Sequence, residues 1–438
     1  MKKLITVLIV GGIVLAGASA LWAGGADNKT NWSSEYVGIL NRNAATDSAD
    51  IAMYNPAGVS FMEDGLYANV SGHYILKDYN NQINGTDFDQ DEPSLVPGLF
   101  AVYKKNNWAS FFGVSNVIGG GEVDFSKGNA TTNLVGFSIL SRANGALAAA
   151  GAPSSLYYTG ISSQKLEAEQ TGPGFNLGAA YKFNEMFSLA LALRYVTTTR
   201  EMSGQMTVSP GVTVPGVNNP LTANVKFEEE ADGWGGVIGF NISPNDSWQI
   251  GLRYDSKVDL DFDQTVKTDN FGILPSLGIV HNGTRTRNLP AILALGVSYN
   301  INPKFRLESD LTVYLNDNAD FEDIAGTPRD ESAVDTGFDL GIGMAYDIND
   351  AFQATAGYLY TVTGVDNAKD MTPELPELDA HTIGAGMTWK AMPQFNLNFS
   401  LGHVFYQSES FTSQTTGAQI EYEKDITFIG LGLQYKFF

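Results

Sequence analysis

The residues of this chain that could do chemistry are positive charges set on segments of alternating polarity. Lys182, Arg194, Arg253, Arg306 and Lys390 fall on what reads as the inner face of such segments, and Arg200 lies near the far end of one. Carboxylates share that face, among them Asp255, Glu308 and Asp310. A charge in a dry site is costly unless paired, so each cation either neutralises an internal carboxylate or holds an anionic ligand. Internal pairing accounts for most of them. Other chemistries find less support. The chain has no Cys, hence no disulfide, thiolate metal site or lipid-anchoring thiol. Its four His (His73, His281, His381, His403) lack metal-ligand spacing, and no G-x-S-x-G is present. No enzyme, no metal and no cofactor is expected.

The elements that would position these cations are strands. Phe187, Leu189, Leu191, Leu193 and Tyr195 alternate with Ser188, Ala190, Ala192 and Arg194. The same alternation runs through Trp248–Asp255 and Phe395–Gly402, with one face suited to lipid and the other to a wet or packed lumen. Segments of this kind cover 65–77, 94–104, 108–119, 166–182, 187–203, 222–242, 247–262, 284–300, 304–317, 333–348, 351–364, 376–390, 394–408 and 418–438. They make an all-β chain, a 14-stranded antiparallel transmembrane β-barrel over residues 65–438. Connections after even strands are tight (Lys105–Asn107, Ser243–Asp246, Asn349-Asp350) and those after odd strands are long and polar, as outer-membrane barrels require. Aromatic residues near strand ends, such as Trp108, Tyr181, Trp248, Tyr299, Tyr346 and Trp389, suit interfacial girdles. Gly341 and Gly343 sit mid-strand, where small inward residues would make room for something in the lumen.

Residues 1–23 have the charged start (Lys2, Lys3), apolar run and small-residue end of a secretory signal peptide, with cleavage after Ala20 or Ala23. No later apolar run approaches the roughly 18 residues of a membrane helix, so any crossing is made by strands. The formal net charge is −22, which repels nucleic acid. Acid concentrates in apparent loops at Asp87–Glu92 and Asp317–Asp323, read as solvated charge that could meet lipopolysaccharide through a shared divalent cation.

Two stretches interrupt the strand pattern. Ala44–Gly65 is rich in small residues and contains Asn55, Pro56 and Ala57, which in isolation is turn chemistry. Gly119, Gly120 and Gly121 end the third strand and would permit a kink or simply begin a loop. The loop from Gly120 to Lys165 carries apolar residues (Leu134, Val135, Phe137, Ile139, Leu140) that either pack over the barrel mouth or form an outer apolar surface.

Together these features resemble the FadL family of outer-membrane transport proteins for long-chain fatty acids and aromatic hydrocarbons. The resemblance is carried by DSADIAMYNPAGVSFM before the first strand, by Trp234–Phe262, by Arg287–Pro290 and by Pro373–Gly384, in family order. It implies that residues 24–64 form a hatch plugging a monomeric barrel. It also implies that a kink in the third strand opens the wall sideways and that outer loops capture the cargo. Arg194 and Arg200 become the candidate substrate-binding cations, because the family keeps a cation on the corresponding strand. The final Tyr435 and Phe437 resemble the signal read by the barrel-assembly machinery. The expected function is passive uptake of a hydrophobic small molecule across the outer membrane of a Gram-negative-type cell, with long-chain fatty acid leading. A neutral hydrocarbon channel and a general porin are the alternatives.

Overall fold

A computed structural model describes residues 32–119, 121–324, 327–328, 333–369, 374–412 and 417–438. The signal-peptide segment and Gly120 lie outside them. Fourteen antiparallel strands form the wall. They are β1 (Gly65–Ile83), β2 (Ser94–Lys105), β3 (Trp108–Asn116 and Gly121–Phe125), β4 (Tyr158–Thr171 and Pro173–Lys182), β5 (Phe187–Pro210) and β6 (Leu221–Asn245). There follow β7 (Trp248–Asp255 and Asp261–Asp269), β8 (Thr284–Thr286 and Ala291–Asn302), β9 (Phe305–Leu315) and β10 (Gly337–Asn349). The last four are β11 (Phe352–Val362), β12 (Ala380–Met392), β13 (Phe395–Tyr406) and β14 (Gln419–Lys436). The sheet closes because β1 pairs with β14 from Tyr67–Lys436 to Ile83–Ile420, which leaves no edge for unwanted pairing.

Alternation decides which side chains face where. Along β1, Asn69, Ser71, His73 and Lys77 are buried inside, while Val70, Tyr74 and Leu76 are exposed outside. Leu177, Leu191 and Leu193 likewise point out. An exposed apolar belt of this kind has lipid as its solvent. At the short-turn end, aromatic rings pair across strands: Trp108 with Tyr181 at 4.6 Å, Trp248 with Tyr299 at 4.4 Å, and Phe352 with Trp389 at 6.4 Å. Such pairs contribute about 1 kcal/mol each beyond area burial and mark an interface.

The sequence reading found all fourteen strands, but it ran some of them past their ends or across breaks and read two connections incompletely. Asp87–Glu92 is not all loop: Thr86–Gln90 folds back on β1 through Asn84 (φ 47°) and Gly85 (φ 79°), an outer hairpin with the Asn-Gly turn that strand twist favours. Gly120–Lys165 contains the continuation of β3 and a helix, α1 (Ala130–Ala149), started by a capping box between Asn129 and Thr132. Val135 and Ile139 of that helix pack down on Tyr158, Met206 and Val208 of the extended β4 and β5, whereas Phe137 stays 54% exposed. The seventh strand is not continuous, for it leaves the ladder between Asp255 and Asp261.

Candidate functional site

Residues 32–62 lie within the ring of strands and are almost wholly buried. A short helical turn, Ser34–Ile39, begins where Ser33 Oγ accepts the Tyr36 N–H at 2.9 Å and donates to Asp50 Oδ2 at 2.6 Å. It fits because glycines of the facing wall leave room for its backbone. A Cβ at Gly357 would stand 1.8 Å from the Ile39 carbonyl oxygen, and one at Gly384 would stand 2.2 Å from that of Val37. Gly341 gives the same room to Asn41, in keeping with the small inward residues expected there.

Polar bonds tie the segment to strands on several sides of the barrel. Ser34 Oγ donates to the Asn398 carbonyl of β13 at 3.2 Å, and the Ala49 N–H donates to Gln434 Oε1 of β14 at 2.7 Å. Asp310 of β9 accepts the backbone N–H groups of Arg42 and Asn43 at 2.7 and 2.8 Å. The Asn55 amide donates to the Ala45 carbonyl (3.0 Å) and to Asn241 Oδ1 of β6 (2.8 Å), and its own oxygen accepts the Gly58 N–H (3.2 Å). Ser188 of β5 donates to the Ala57 carbonyl at 2.9 Å, and Pro56 sits against Gly239, where a Cβ would approach it to 2.9 Å. Asn55, Pro56 and Ala57 thus meet the inner wall at β5 and β6.

Two charge systems hold this packing. Arg42 pairs with Asp50 (2.8 Å) and Asp47 (2.7 Å), and Arg306 of β9 reaches both Asp47 (3.1 Å) and Glu308 (2.6 Å). Burial opposes ionisation of Asp47, but Arg42 and Arg306 together hold its carboxyl well below the usual range. Glu35 differs. Its Oε1 accepts from the amides of Asn69 (2.6 Å) and Asn398 (2.7 Å), and its Oε2 is shut from solvent with no hydrogen-bond partner among the described residues. Burial, then the nearby Asp50, pushes Glu35 up from 4.5 to about 8 against the weaker pull of Arg42. The docked segment therefore keeps a proton that a released one gives up above the ordinary carboxyl range. Docking weakens as pH rises from 4.5 towards about 8 and is level beyond. Protease cleavage of the segment should rise across that window in the wild type and be flat in Glu35→Gln.

The strand cations fall into pairs, as their shared face with carboxylates implied. Lys182 meets Glu185 at 2.8 Å and Lys390 meets Asp347 at 2.9 Å. Arg194 stands 3.4 Å from Asp255, which also pairs with Arg253 at 3.0 Å. Arg253 does more than pair: it donates to the carbonyls of Met53 and Tyr54, joining β7 to the N-terminal segment. Arg200 lies 3.4 Å from Glu229, whose two oxygens are already gripped by Arg285 at 2.6 and 2.8 Å. Sequence alternation found these faces. It missed Glu35, Arg42 and Asp50, whose segment has no period, and Arg285, whose short strand piece shows no pattern.

Beside these polar groups, apolar side chains fill part of the lumen. Phe100, Phe125, Leu166, Met202, Phe227 and Phe428 belong to one buried cluster continuous with the N-terminal segment. At the third-strand break, Val117 and Ile118 donate to the Gly172 carbonyl, and Gly121 resumes the strand at φ 100°. The β2–β3 ladder ends at Gly98–Ser115, so Ser94–Pro97 of β2 have no β3 partner. No group of His, Asp or Glu that could hold a metal occurs among the described residues.

A closed barrel with a lipid-facing belt, girdles and a filled lumen defines an outer-membrane barrel protein. The family model for outer membrane protein transport protein (OMPP1/FadL/TodX) matches residues 14–437, and the chain belongs to that family, whose members are transport channels and not enzymes. It is 22% identical over 303 residues to a long-chain fatty acid transport protein of Escherichia coli O6:H1 (strain CFT073), a match covering 61% of this chain and 66% of that one. The chain thus spans just under two thirds of that relative's length. In fold it is similar to a Pseudomonas aeruginosa FadL homologue (TM-score 0.70, 15% identity, 96% of this chain and 100% of that one). It is also similar to the P. putida toluene transporter TodX (TM-score 0.63, 14% identity, 92% and 98%).

Proposed function

We propose that this protein is a passive outer-membrane channel for hydrophobic compounds, with long-chain fatty acids as the leading cargo. The observation that carries the reading is the buried apolar cluster running through the lumen, where a porin would be polar and wet. Each CH₂ taken from water into such surroundings gains about 0.8 kcal/mol, so an apolar passage moves what an aqueous pore cannot. The E. coli relative, a long-chain fatty acid transport protein, supports that cargo.

In this reading residues 1–23 are removed on export, 24–64 are the hatch, and Asn55, Pro56 and Ala57 are its fastening to the wall. Exposed Phe137 on α1 offers an apolar landing surface outside. Cargo then enters the lumen and leaves sideways at the β3 break around Gly119, Gly120 and Gly121, where Ser94–Pro97 of β2 pair with β1 but have no partner in the β3 ladder. Arg194 and Arg200 are the carboxylate sites. Arg200 is the stronger of the two, because Glu229 is satisfied by Arg285 and would survive losing it to a ligand. The barrel works as a monomer among outer-membrane lipid and lipopolysaccharide, and its last strand addresses the barrel-assembly machinery.

A second reading, transport of neutral hydrocarbons, is favoured by the internal pairing of both arginines, since toluene needs no cation. Uptake of labelled oleate and labelled toluene, side by side in a host lacking its own channel of this type, separates them. Saturable oleate uptake supports the fatty-acid reading. Toluene uptake alone removes the carboxylate site, and uptake of neither overturns the function.

A further inference from the structure

The wall is interrupted a second time, between β6 and β7. The ladder runs from Trp248–Asn245 to Asp255–Val237 and resumes only at Asp263–Glu230, leaving Ala231–Gly236 of β6 without β7 partners. The intervening strap, Ser256–Leu260, does not bulge into lipid. It crosses the lumen side of β6, where a Cβ at Gly233 would stand 2.3 Å from the Asp259 carbonyl oxygen and one at Gly235 2.9 Å from Val258 Cγ2. It remains fastened to the link between the two pieces of β8, through Val258 N–H to the Leu289 carbonyl (3.1 Å), the reciprocal bond (2.9 Å), and Arg287 N–H to the Leu260 carbonyl (2.8 Å). Two bonds hold its start to β6: Ser256 N–H to the Gly236 carbonyl and Gly236 N–H to Ser256 Oγ, both 2.9 Å.

Both sides of this strap are apolar. Inside, Val258 and Leu260 are fully buried in a cluster with Val196 of β5 and Ile118 of the β3 break. Val117 packs against that cluster and against the main lumen cluster, making the two continuous. Outside, a lipid-facing groove of about 460 Å³ runs over Leu177, Leu193, Ile238 and Tyr254 and ends at Gly236 and Ser256. No charged side chain lines this open depression.

We infer that the β6–β7 break is a second lateral exit, through which an apolar chain passes from the lumen into this groove when the strap tilts inward with β8. The groove commits the exit to uncharged chain, so an acyl tail or hydrocarbon uses it tail first. The strap is coupled to the N-terminal segment. Asp255, the residue before it, pairs with Arg194 and Arg253, and Arg253 holds the carbonyls of Met53 and Tyr54 beside Asn55. Release of that segment frees Arg253 and slackens the strap. This inference rests on the transport reading above.

The chain has no Cys, so a single introduced pair can be read cleanly. A Cβ at Gly235 would stand 3.0 Å from Ser256 Oγ, close enough for Gly235→Cys with Ser256→Cys to form a disulfide. Oxidation should lower labelled-oleate uptake roughly threefold or more relative to the same protein after dithiothreitol. Gly236→Phe, whose added Cβ meets nothing closer than the Ala192 carbonyl oxygen at 3.9 Å and whose backbone still bonds Ser256, fills the groove from the lipid side, should lower it in the same direction and stands alone if the Cys pair does not assemble. Unchanged uptake with complete cross-linking, or in assembled Gly236→Phe, overturns the second exit while leaving the channel in place. A wild type that moves neither oleate nor toluene overturns the transport reading, and the exit with it.

Discussion

Asn55→Ala protein reaches the membrane as a complete barrel, yet its N-terminal segment is loosened and its uptake altered. Asn55 is buried and its side chain makes three hydrogen bonds, to Ala45, Asn241 and Gly58. Truncation leaves those partners unsatisfied in a dry site, at about 1–3 kcal/mol for each buried group. A total near 3 kcal/mol shifts the docked-to-released ratio on the order of a hundredfold. None of the strand ladders uses Asn55, so heat-modifiable migration on gels should match the wild type. Trypsin should cut within 32–62 faster, and oleate uptake should change. Unaltered uptake at equal surface expression would remove the segment from the mechanism.

Arg200→Met separates the two cargoes. Glu229 keeps both of its bonds to Arg285 and a further one from Gln264 at 3.0 Å, so no carboxylate is stranded. A ligand carboxylate, however, loses a charge-assisted bond of about 1.5–3 kcal/mol, roughly ten- to a hundredfold in uptake below saturation. Toluene uptake should not change. Equal loss of both cargoes would make Arg200 a structural residue only.

The strands were legible because a barrel exposes one face to lipid and the other to its lumen, which writes a period of two into every segment. The same rule hid the β7 strap. Lys257, Val258, Asp259 and Leu260 alternate as though the strand continued, but the backbone has left β6 and the alternation serves a lumen cluster. Helix α1 was hidden for a different reason: its sequence, ATTNLVGFSILSRANGALAA, shows no single apolar face, and its start is marked only by the Asn129 capping box. Gly341 and Gly343 were readable as room for a plug because glycine inside a strand has few other uses. The partners of the cations were not equally readable. Arg194 and Arg306 found the carboxylates on their own face, whereas Arg253 binds carbonyls of a segment two hundred residues away in sequence (|i−j| = 200 and 199), which no local pattern encodes.

The central claim is that the lumen is filled and carries a continuous apolar cluster, a passage for hydrophobic molecules and closed to water-borne solutes. Swelling of proteoliposomes in arabinose, with the protein reconstituted at known density, tests it most directly. The account predicts swelling no faster than in protein-free vesicles. Swelling at the rate of a general porin would mean that residues 32–62 do not close the barrel, and would contradict the account.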